Sequence, residues 1–155
     1  MGAVRRLCLL VLLVAVGCSS GSGTPAGCPI HEATASFSKQ ARLDVQVADD
    51  DASREQGLMG VTDLPENHGM AFVWDAPTDA TFWMKDTLIP LSIAFVGQDN
   101  RVVSIREMTP CAADPCETYG ADASYTTALE ANANWFADHH VAVGDRMTYS
   151  PVFCS

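Results

Sequence analysis

Apolar and polar residues alternate, or run together, in short segments that predict β-strands. Residues 43–47 (LDVQV) alternate strictly, which predicts a strand with one buried face and one face in water. Residues 70–74 (MAFVW) are apolar at every position, as is typical of a strand buried on both faces. Residues 91–96 and 101–107 flank the polar sequence GQDN, so we predict a hairpin closed by this four-residue loop.

The segment TFWMKDTLIPL places large apolar side chains directly beside a lysine and an aspartate. Along a strand, Phe82 and Met84 would share one face with Asp86, while Trp83 and Lys85 would share the other. We predict a strand whose Phe82 and Met84 side chains enter the core. The other face has two interpretations: either Trp83 packs under a loop while Lys85 extends past it to water, or the pair contacts a ligand.

Two further patterns predict short helices. The acidic residues 49–51 suit the amino-terminal end of a helix over 51–58, which Gly57 and Gly60 would end. Residues 130–139 predict a second helix, because an apolar stripe follows helical spacing at Leu129, Ala133 and Phe136.

The remaining segments complete the predicted fold. Residues 125–129 and 146–149 have the pattern of strands, and 109–124 form a polar loop with cysteine and proline. The predicted fold class is α+β and mainly antiparallel β. We expect a single compact barrel-like domain of six or seven short strands with two short helices.

The first residues have the pattern of an export signal. Arg5 and Arg6 precede an uncharged apolar run that is too short to span a membrane comfortably. The run ends in AVGC, where small residues precede Cys18, and this resembles the lipobox of bacterial lipoproteins. We predict a signal peptide over 1–17 and lipidation of Cys18. The alternative is an ordinary signal peptide that is cut nearby.

The export signal sets the expected domain organisation and location. Residues 18–38, which begin with glycine, serine, threonine and proline, are interpreted as a flexible tether, and 39–155 as the folded domain. The protein is expected to be anchored to the bacterial cell envelope through the lipid on Cys18, facing the periplasm or the exterior.

Export also makes disulfides the expected state of the cysteines in the domain. Four cysteines remain after Cys8 leaves with the signal and the lipidated cysteine is set aside. Cys111 and Cys116 bracket a short AADP turn, so we predict that they pair locally, which leaves Cys28 to pair with Cys154. No CxxC pair or closely spaced histidine pair favours zinc, and we predict no metal site.

The charge balance excludes one class of partner. The chain has 19 acidic residues against 9 Lys and Arg, and its basic residues do not cluster. A nucleic-acid-binding surface is therefore not expected, because phosphate backbones attract basic patches. We expect a monomer.

Familiar catalytic motifs are missing from the sequence. It has no glycine-rich phosphate loop, no GxSxG and no HExxH, so we assign no catalytic residue and expect no cofactor. Three carboxylates still need an interpretation: Asp86, Glu107 and Glu130. They either hold loops through ion pairs or contribute to a polar pocket, and the basic residues available to them are Arg54, Lys85 and Arg106.

Four methionines permit one more interpretation. Thioethers bind Cu(I), whereas methionine is also ordinary core filler, and these residues do not cluster along the chain. We therefore expect core packing for Met59, Met70, Met84 and Met108.

Seven motifs in order resemble one protein family. They are REQGLM (54–59), GMAFVW (69–74), FWMKDTLIPL (82–91), MTPC (108–111), DPC (114–116), ALE (128–130) and VGDR (143–146). Together they resemble domain of unknown function family 192 over about residues 43–149. The resemblance implies a compact, β-rich, barrel-like domain, often exported, and implies no activity. The chain departs from the usual family pattern at Ser53, Val61 and Asp86.

The functional hypothesis is a lipid-anchored binding or accessory module. Its ligand would be small and polar, with carbohydrate as one class, contacted by Trp83, Lys85, Arg54, Glu130 and Asp86. The first alternative is a cell-envelope hydrolase that uses Asp86 or Glu130 with Lys85. The second is a purely structural or partner-binding envelope lipoprotein.

Overall fold

The computed structural model describes residues 32–38 and 40–152. The predicted signal peptide, Cys18, most of the tether and the predicted Cys28–Cys154 disulfide lie outside the described residues. The described chain forms, in order, β1 (Glu32–Phe37), β2 (Arg42–Ala48), α1 (Asp51–Gln56), β3 (His68–Thr78), β4 (Phe82–Trp83), β5 (Leu91–Val96), β6 (Val102–Met108), β7 (Thr118–Tyr119), β8 (Tyr125–Asn132), α2 (Trp135–Asp138) and β9 (Met147–Val152).

Seven of these strands form one curled sheet in the order β6-β5-β8-β3-β2-β1-β9. Neighbouring strands run antiparallel except β2 and β3, which are parallel and are connected through α1. A single bridge between Arg101 and Arg146 brings the ends of the two edge strands together. The strands β4 and β7 form a separate ribbon. This mainly antiparallel, barrel-like α+β fold confirms the predicted class.

The interior is filled by two apolar clusters. The first lies under β1 and β2, where Leu43 and Val45 are buried while Asp44 between them is exposed, as the alternation predicts. The second contains Phe95 and Tyr125, whose ring centroids lie 4.8 Å apart in an edge-to-face arrangement. Trp74 and Phe82 pack against this second cluster.

Several local predictions are confirmed. The hairpin over 91–108 has the expected strands, and α1 begins at the expected acidic run. Asp50 caps that helix by accepting a hydrogen bond from the Ser53 backbone N–H at 2.9 Å. Gly57 ends it with a positive φ of 47°, a conformation that glycine adopts without steric cost.

The domain begins earlier than the sequence pattern predicts. The tether was expected to extend to residue 38, but β1 already spans Glu32–Phe37 and pairs with both β2 and β9. Its inward residues include Ala33 and Ala35, which are fully buried but small. Small inward residues give a weak alternation signal, and the strand was missed for that reason.

The predicted helix over 130–139 is confirmed only at Trp135–Asp138, and its predicted start is wrong. Residues 130–132 continue β8, because Glu130 pairs with Met70 on one side and Ile93 on the other. Asn134 has a positive φ of 66°, and only Trp135–Asp138 are helical after it. The ladder between two neighbouring strands therefore overrides the helical spacing of the apolar residues.

The predicted long strand over 81–91 is also wrong. Phe82 and Trp83 form the short strand β4, and the next strand begins only at Leu91; Met84 is buried as expected. At Asp86 the backbone turns with a φ of 55°, while its carbonyl oxygen accepts a hydrogen bond from the Gly60 N–H at 2.9 Å. The turn points Asp86 outward, so it does not share the buried face of Phe82 and Met84.

Within residues 32–38 and 40–152, the helices are too short to cross a membrane.

Candidate functional site

A cavity of about 240 Å³ opens between α1, the end of β3 and β4. We call it the outer cavity. Its walls combine aromatic rings with one helix face, and it is lined by Asp51, Arg54, Glu55, Phe72, Trp74, Ala80, Thr81, Phe82 and Trp83. An aromatic concave surface with a few polar groups is the usual form of a small-molecule site.

A second, much smaller cavity of about 30 Å³ adjoins it, and we call this the inner cavity. It shares five lining residues with the outer cavity: Arg54, Glu55, Phe72, Phe82 and Trp83. Glu130 also lines it. The volume is sufficient for a water molecule or one small polar group.

Glu130 is the most unusual group at this site. It is 5% exposed on the central strand β8, and no described residue donates a hydrogen bond to its carboxyl group. Desolvation by burial raises the pKa of Glu130 from 4.5 to about 8. At neutral pH the group is therefore mainly protonated, so it can both donate and accept a hydrogen bond.

Arg54, on α1, lines both cavities. Its guanidinium donates to the Val73 carbonyl oxygen at 2.8 Å and to the Asp51 carboxylate at 2.7 Å. The guanidinium carbon also lies 5.3 Å from the centroid of the Trp74 ring. The charge and the N–H donors of Arg54 are therefore mostly paired with groups of the protein itself.

Trp83 forms the exposed rim of both cavities. Its side chain is 47% exposed, and Lys85 Nζ lies 5.4 Å from the ring centroid. Lys85 Nζ is also 4.0 Å from an Asp114 carboxylate oxygen. The lysine therefore contacts the ring from outside and does not line either cavity.

The ribbon of β4 and β7 holds Trp83 in place. Trp83 pairs with Thr118, and β7 directly follows the loop that carries Cys111 and Cys116. These two cysteines form the predicted disulfide, which confirms that pairing. The Cys111 N–H also donates to the Met84 carbonyl oxygen, next to the pocket wall.

Phe82 connects the cavity wall to the core. Its ring makes edge-to-face contacts with Phe72 at 4.9 Å, Phe95 at 5.8 Å and Trp74 at 6.3 Å between centroids. The aromatic wall is therefore continuous with the second apolar cluster. Such a wall is held in one position by packing.

The structure brings three of the five site residues proposed from the sequence to one place: Arg54, Trp83 and Glu130 line the inner cavity. Lys85 lies beside Trp83, whereas Asp86 is exposed on the turn and lines neither cavity. Sequence reasoning missed the contributions of Trp74, Phe82, Asp51 and Glu55. Residues 51, 54 and 55 lie on one side of α1 by their helical spacing. This spacing is the sequence signal that could have grouped Asp51 and Glu55 with Arg54.

The other acidic and basic candidates have partners elsewhere. Glu107 accepts a hydrogen bond from the Ser92 hydroxyl at 2.6 Å and one from the Asn134 N–H at 3.1 Å. Arg106 forms an ion pair with Asp122 on the protein surface. These contacts agree with the structural interpretation of both residues.

Three of the four methionines lie in the core, and the fourth lines the inner cavity. Met70, Met84 and Met108 are buried in the second apolar cluster, as expected for core filler. Met59 is half-buried and lines the inner cavity.

A larger cavity of about 530 Å³ lies beside β1, β2 and the segment that follows α1. Its polar lining groups include Glu32, Asp44, Asp63 and His68, and all four are exposed. Exposed carboxylates are already solvated and do not require a ligand. The smaller pair of cavities contains the buried, unpaired acid, and we therefore regard that pair as the candidate site.

Fold and site together define a small, β-rich domain with an aromatic pocket beside its first helix. The chain belongs to the DUF192 family, described as an uncharacterized ACR, whose model matches residues 33–149. This confirms the resemblance seen in the sequence motifs. No curated protein matches the chain.

Solved structures similar to this chain include two bacterial proteins. One is a protein of unknown function from Novosphingobium aromaticivorans, 32% identical, covering 77% of this chain and 84% of that chain with a TM-score of 0.67. The other, from Sinorhizobium meliloti, is provisionally described as a transcription regulator; it is 26% identical and covers 77% and 93% of the two chains, with a TM-score of 0.68. These matches establish family and fold.

Proposed function

We propose that this protein is a binding module for a small polar organic ligand, with carbohydrate as the leading class. The observation that carries the proposal is the Glu130 carboxyl group, which is buried without a hydrogen-bond partner among the described residues and lines a cavity. The carboxyl oxygens keep some access to the inner cavity, so a ligand hydroxyl can reach them and supply the hydrogen-bond partner that the described residues do not.

The aromatic wall fits the same class of ligand. Trp83 and Trp74 offer flat apolar surfaces beside a polar group, which is how proteins commonly hold a sugar ring or a similar ligand. The outer cavity of about 240 Å³ limits the bound part of the ligand to a small molecule or one unit of a larger one.

Binding is tested by a thermal-shift screen of sugars and small metabolites, followed by calorimetry on the hits. Trp83→Ala should abolish the shift, because it removes the rim of both cavities. Leu88→Ala is the matched control, since Leu88 is 57% exposed nearby in the chain and lines neither cavity. If no compound binds, or if Trp83→Ala binds as well as the wild type, the proposed site is wrong.

The proposed location is the cell envelope, with the domain facing the periplasm or the exterior and anchored by lipid on Cys18. The support is the export pattern of residues 1–17 and the small residues before Cys18. Intact-mass measurement of membrane-extracted protein tests this. A mature protein that begins at Cys18 with added lipid mass is expected, and a soluble form with another first residue would contradict the anchor.

A hydrolase is the second candidate, and one observation favours it. A carboxylic acid that stays protonated at neutral pH has the state required of a general acid, and Glu130 fits that description. Lys85, its proposed partner, lines neither cavity, and the alternative acid Asp86 is exposed and lines neither, which makes binding the better supported function. Turnover of a bound glycoside that disappears in Glu130→Gln would favour the hydrolase.

A further inference from the structure

The charged groups around the two cavities restrict the kind of ligand that fits. Arg54 and Glu55 of α1 are the charged residues, besides Glu130, that line the inner cavity. The strands on either side of Glu130 place the apolar residues Met70 and Ile93 opposite it. The third neighbouring element, β4, contributes only its two aromatic residues.

From this arrangement we infer that the ligand is electrically neutral and inserts one hydroxyl or hydroxymethyl group into the inner cavity, against the Glu130 carboxyl. The inference rests on the proposed binding function and names its ligand class. The inner cavity of about 30 Å³ admits one such group, while the outer cavity holds the remainder of the molecule against the aromatic wall.

An anionic ligand does not fit the donors that are present. The Arg54 guanidinium already donates to Val73 and Asp51, so its charge is offset within the protein. Two buried polar side chains line the inner cavity: Thr87, whose hydroxyl already donates to the Lys85 carbonyl oxygen, and Glu130, which is itself an acid. An anion placed against Glu130 would be repelled whenever that acid ionised, and its own desolvation would lack compensation.

A cationic ligand is disfavoured by the cations that already lie on the aromatic rings. Arg54 is 5.3 Å from the Trp74 centroid, and Lys85 Nζ is 5.4 Å from the Trp83 centroid. An ammonium group entering the outer cavity would meet the Arg54 guanidinium at the Trp74 ring, while Lys85 already occupies the Trp83 ring from outside. The Asp51 and Glu55 carboxylates on the cavity wall are exposed, so water screens their attraction for a cation. A neutral ligand avoids both penalties.

The protonation state of the buried acid agrees with a hydroxyl partner. Burial raises the pKa of Glu130, so at neutral pH its carboxyl group has both a donor O–H and an acceptor oxygen. A ligand hydroxyl also donates and accepts, so it can pair with both the O–H group and the carbonyl oxygen of the acid in one small cavity. An ionised Glu130 would lose the donor.

The test uses matched sugars that differ in charge at one position. Methyl hexosides, hexuronates and hexosamines of the gluco, galacto and manno series are titrated calorimetrically against the wild-type protein at about pH 6.5, where the acid is un-ionised and the amines are mostly charged. The neutral hexosides should bind at least about tenfold more tightly than either charged series. At about pH 9.5 their affinity should fall by about 30-fold, as the protonated fraction falls.

Two variants isolate the carboxyl group. Glu130→Gln keeps a donor and an acceptor in the same shape, so it should bind neutral hexosides within about threefold of wild type and lose the pH dependence. Glu130→Met keeps the bulk without the hydrogen bonds and should not bind. If either variant fails to fold, the titrations of the wild-type protein with the three sugar series, and their dependence on pH, still test the inference.

The outcomes separate this inference from the proposed function. Tighter binding of a charged series, or affinity that is constant or rises with pH, overturns the neutral-hydroxyl inference while the binding function stands. Absence of binding by every sugar, with no effect of Trp83→Ala on any ligand from the wider screen, overturns the proposed function itself.

Discussion

Gly69 lies so close to the backbone of Glu130 that a Cβ atom at position 69 would overlap the Glu130 carbonyl oxygen. The two residues lie on the paired strands β3 and β8, one register position apart. A side chain at position 69 would therefore force the central ladder apart at the point where it supports the buried acid.

Replacing Gly69 with alanine should destabilise the protein by about 3 kcal/mol, at the upper end of the usual cost of overpacking, because the overlap is with backbone. Urea unfolding measures the change in free energy. Gly120→Ala is the matched control, since its new methyl group would meet only the end of the Thr81 side chain at 3.4 Å. Equal stability of the two variants would show that the strands are not this close.

The disulfide loop should stabilise both the fold and the aromatic wall. Cys111 and Cys116 are separated by 5 positions in the sequence, and the chain-entropy model gives about 2 kcal/mol for so short a loop. Replacing both cysteines with serine should lower the unfolding free energy by about this amount and weaken binding of any ligand that stacks on Trp83. Denaturant unfolding and calorimetry measure the two effects. Unchanged values of both would mean that the loop does not hold β4.

Neighbouring residues of β4 should separate stability from binding. Phe82→Ala removes a ring that contacts three others and should cost about 3 kcal/mol. Trp83→Ala removes a side chain that is 47% exposed and should cost less than about 1 kcal/mol. Thermal and urea unfolding of both variants check this. The reverse order of stability would contradict the division of β4 into a core residue and a rim residue.

Glu130 should make stability depend on pH. Because its pKa is raised from 4.5 to about 8, the folded state binds more protons than the unfolded chain between these values. Its favourable contribution is complete below pH 4.5 and is lost as the pH rises through about 8. Each pKa unit corresponds to about 1.4 kcal/mol, so the total loss approaches about 5 kcal/mol.

Glu130→Gln is the reference that removes this dependence while other titrations remain. The difference in unfolding free energy between variant and wild type should therefore shift in favour of the variant as the pH rises from 4.5 to about 9. Urea unfolding at a series of pH values measures it. A difference that stays constant with pH would show that Glu130 titrates normally.

Local signals in the sequence predicted most of the fold. The hairpin of β5 and β6, the capped start of α1 and the Cys111–Cys116 disulfide each depend on residues close together in the chain. The turn at Asp86 could not be predicted in this way, because it is fixed by a hydrogen bond from the distant Gly60. Helical spacing after Leu129 was likewise overridden by two neighbouring strands.

The candidate site was only partly accessible from the sequence. Arg54, Trp83 and Glu130 could be singled out as residue types suited to ligand contact, and the fold places them together. The burial of Glu130 could not be foreseen, because charged residues are almost always exposed and its position depends on the pairing of β8. In the sequence, Trp74 had the pattern of a core residue. Its place at the outer cavity depends on how α1 packs beside it, which the local sequence does not indicate.

The measurement that tests the account most directly is an NMR titration of the Glu130 side-chain carboxyl carbon, in protein alone and with a bound neutral hexoside. A pKa of about 8 is expected in the free protein, with a further rise when the ligand hydroxyl accepts a hydrogen bond from the acid O–H. A pKa near 4.5 in the free protein, or a fall on binding, would contradict the account.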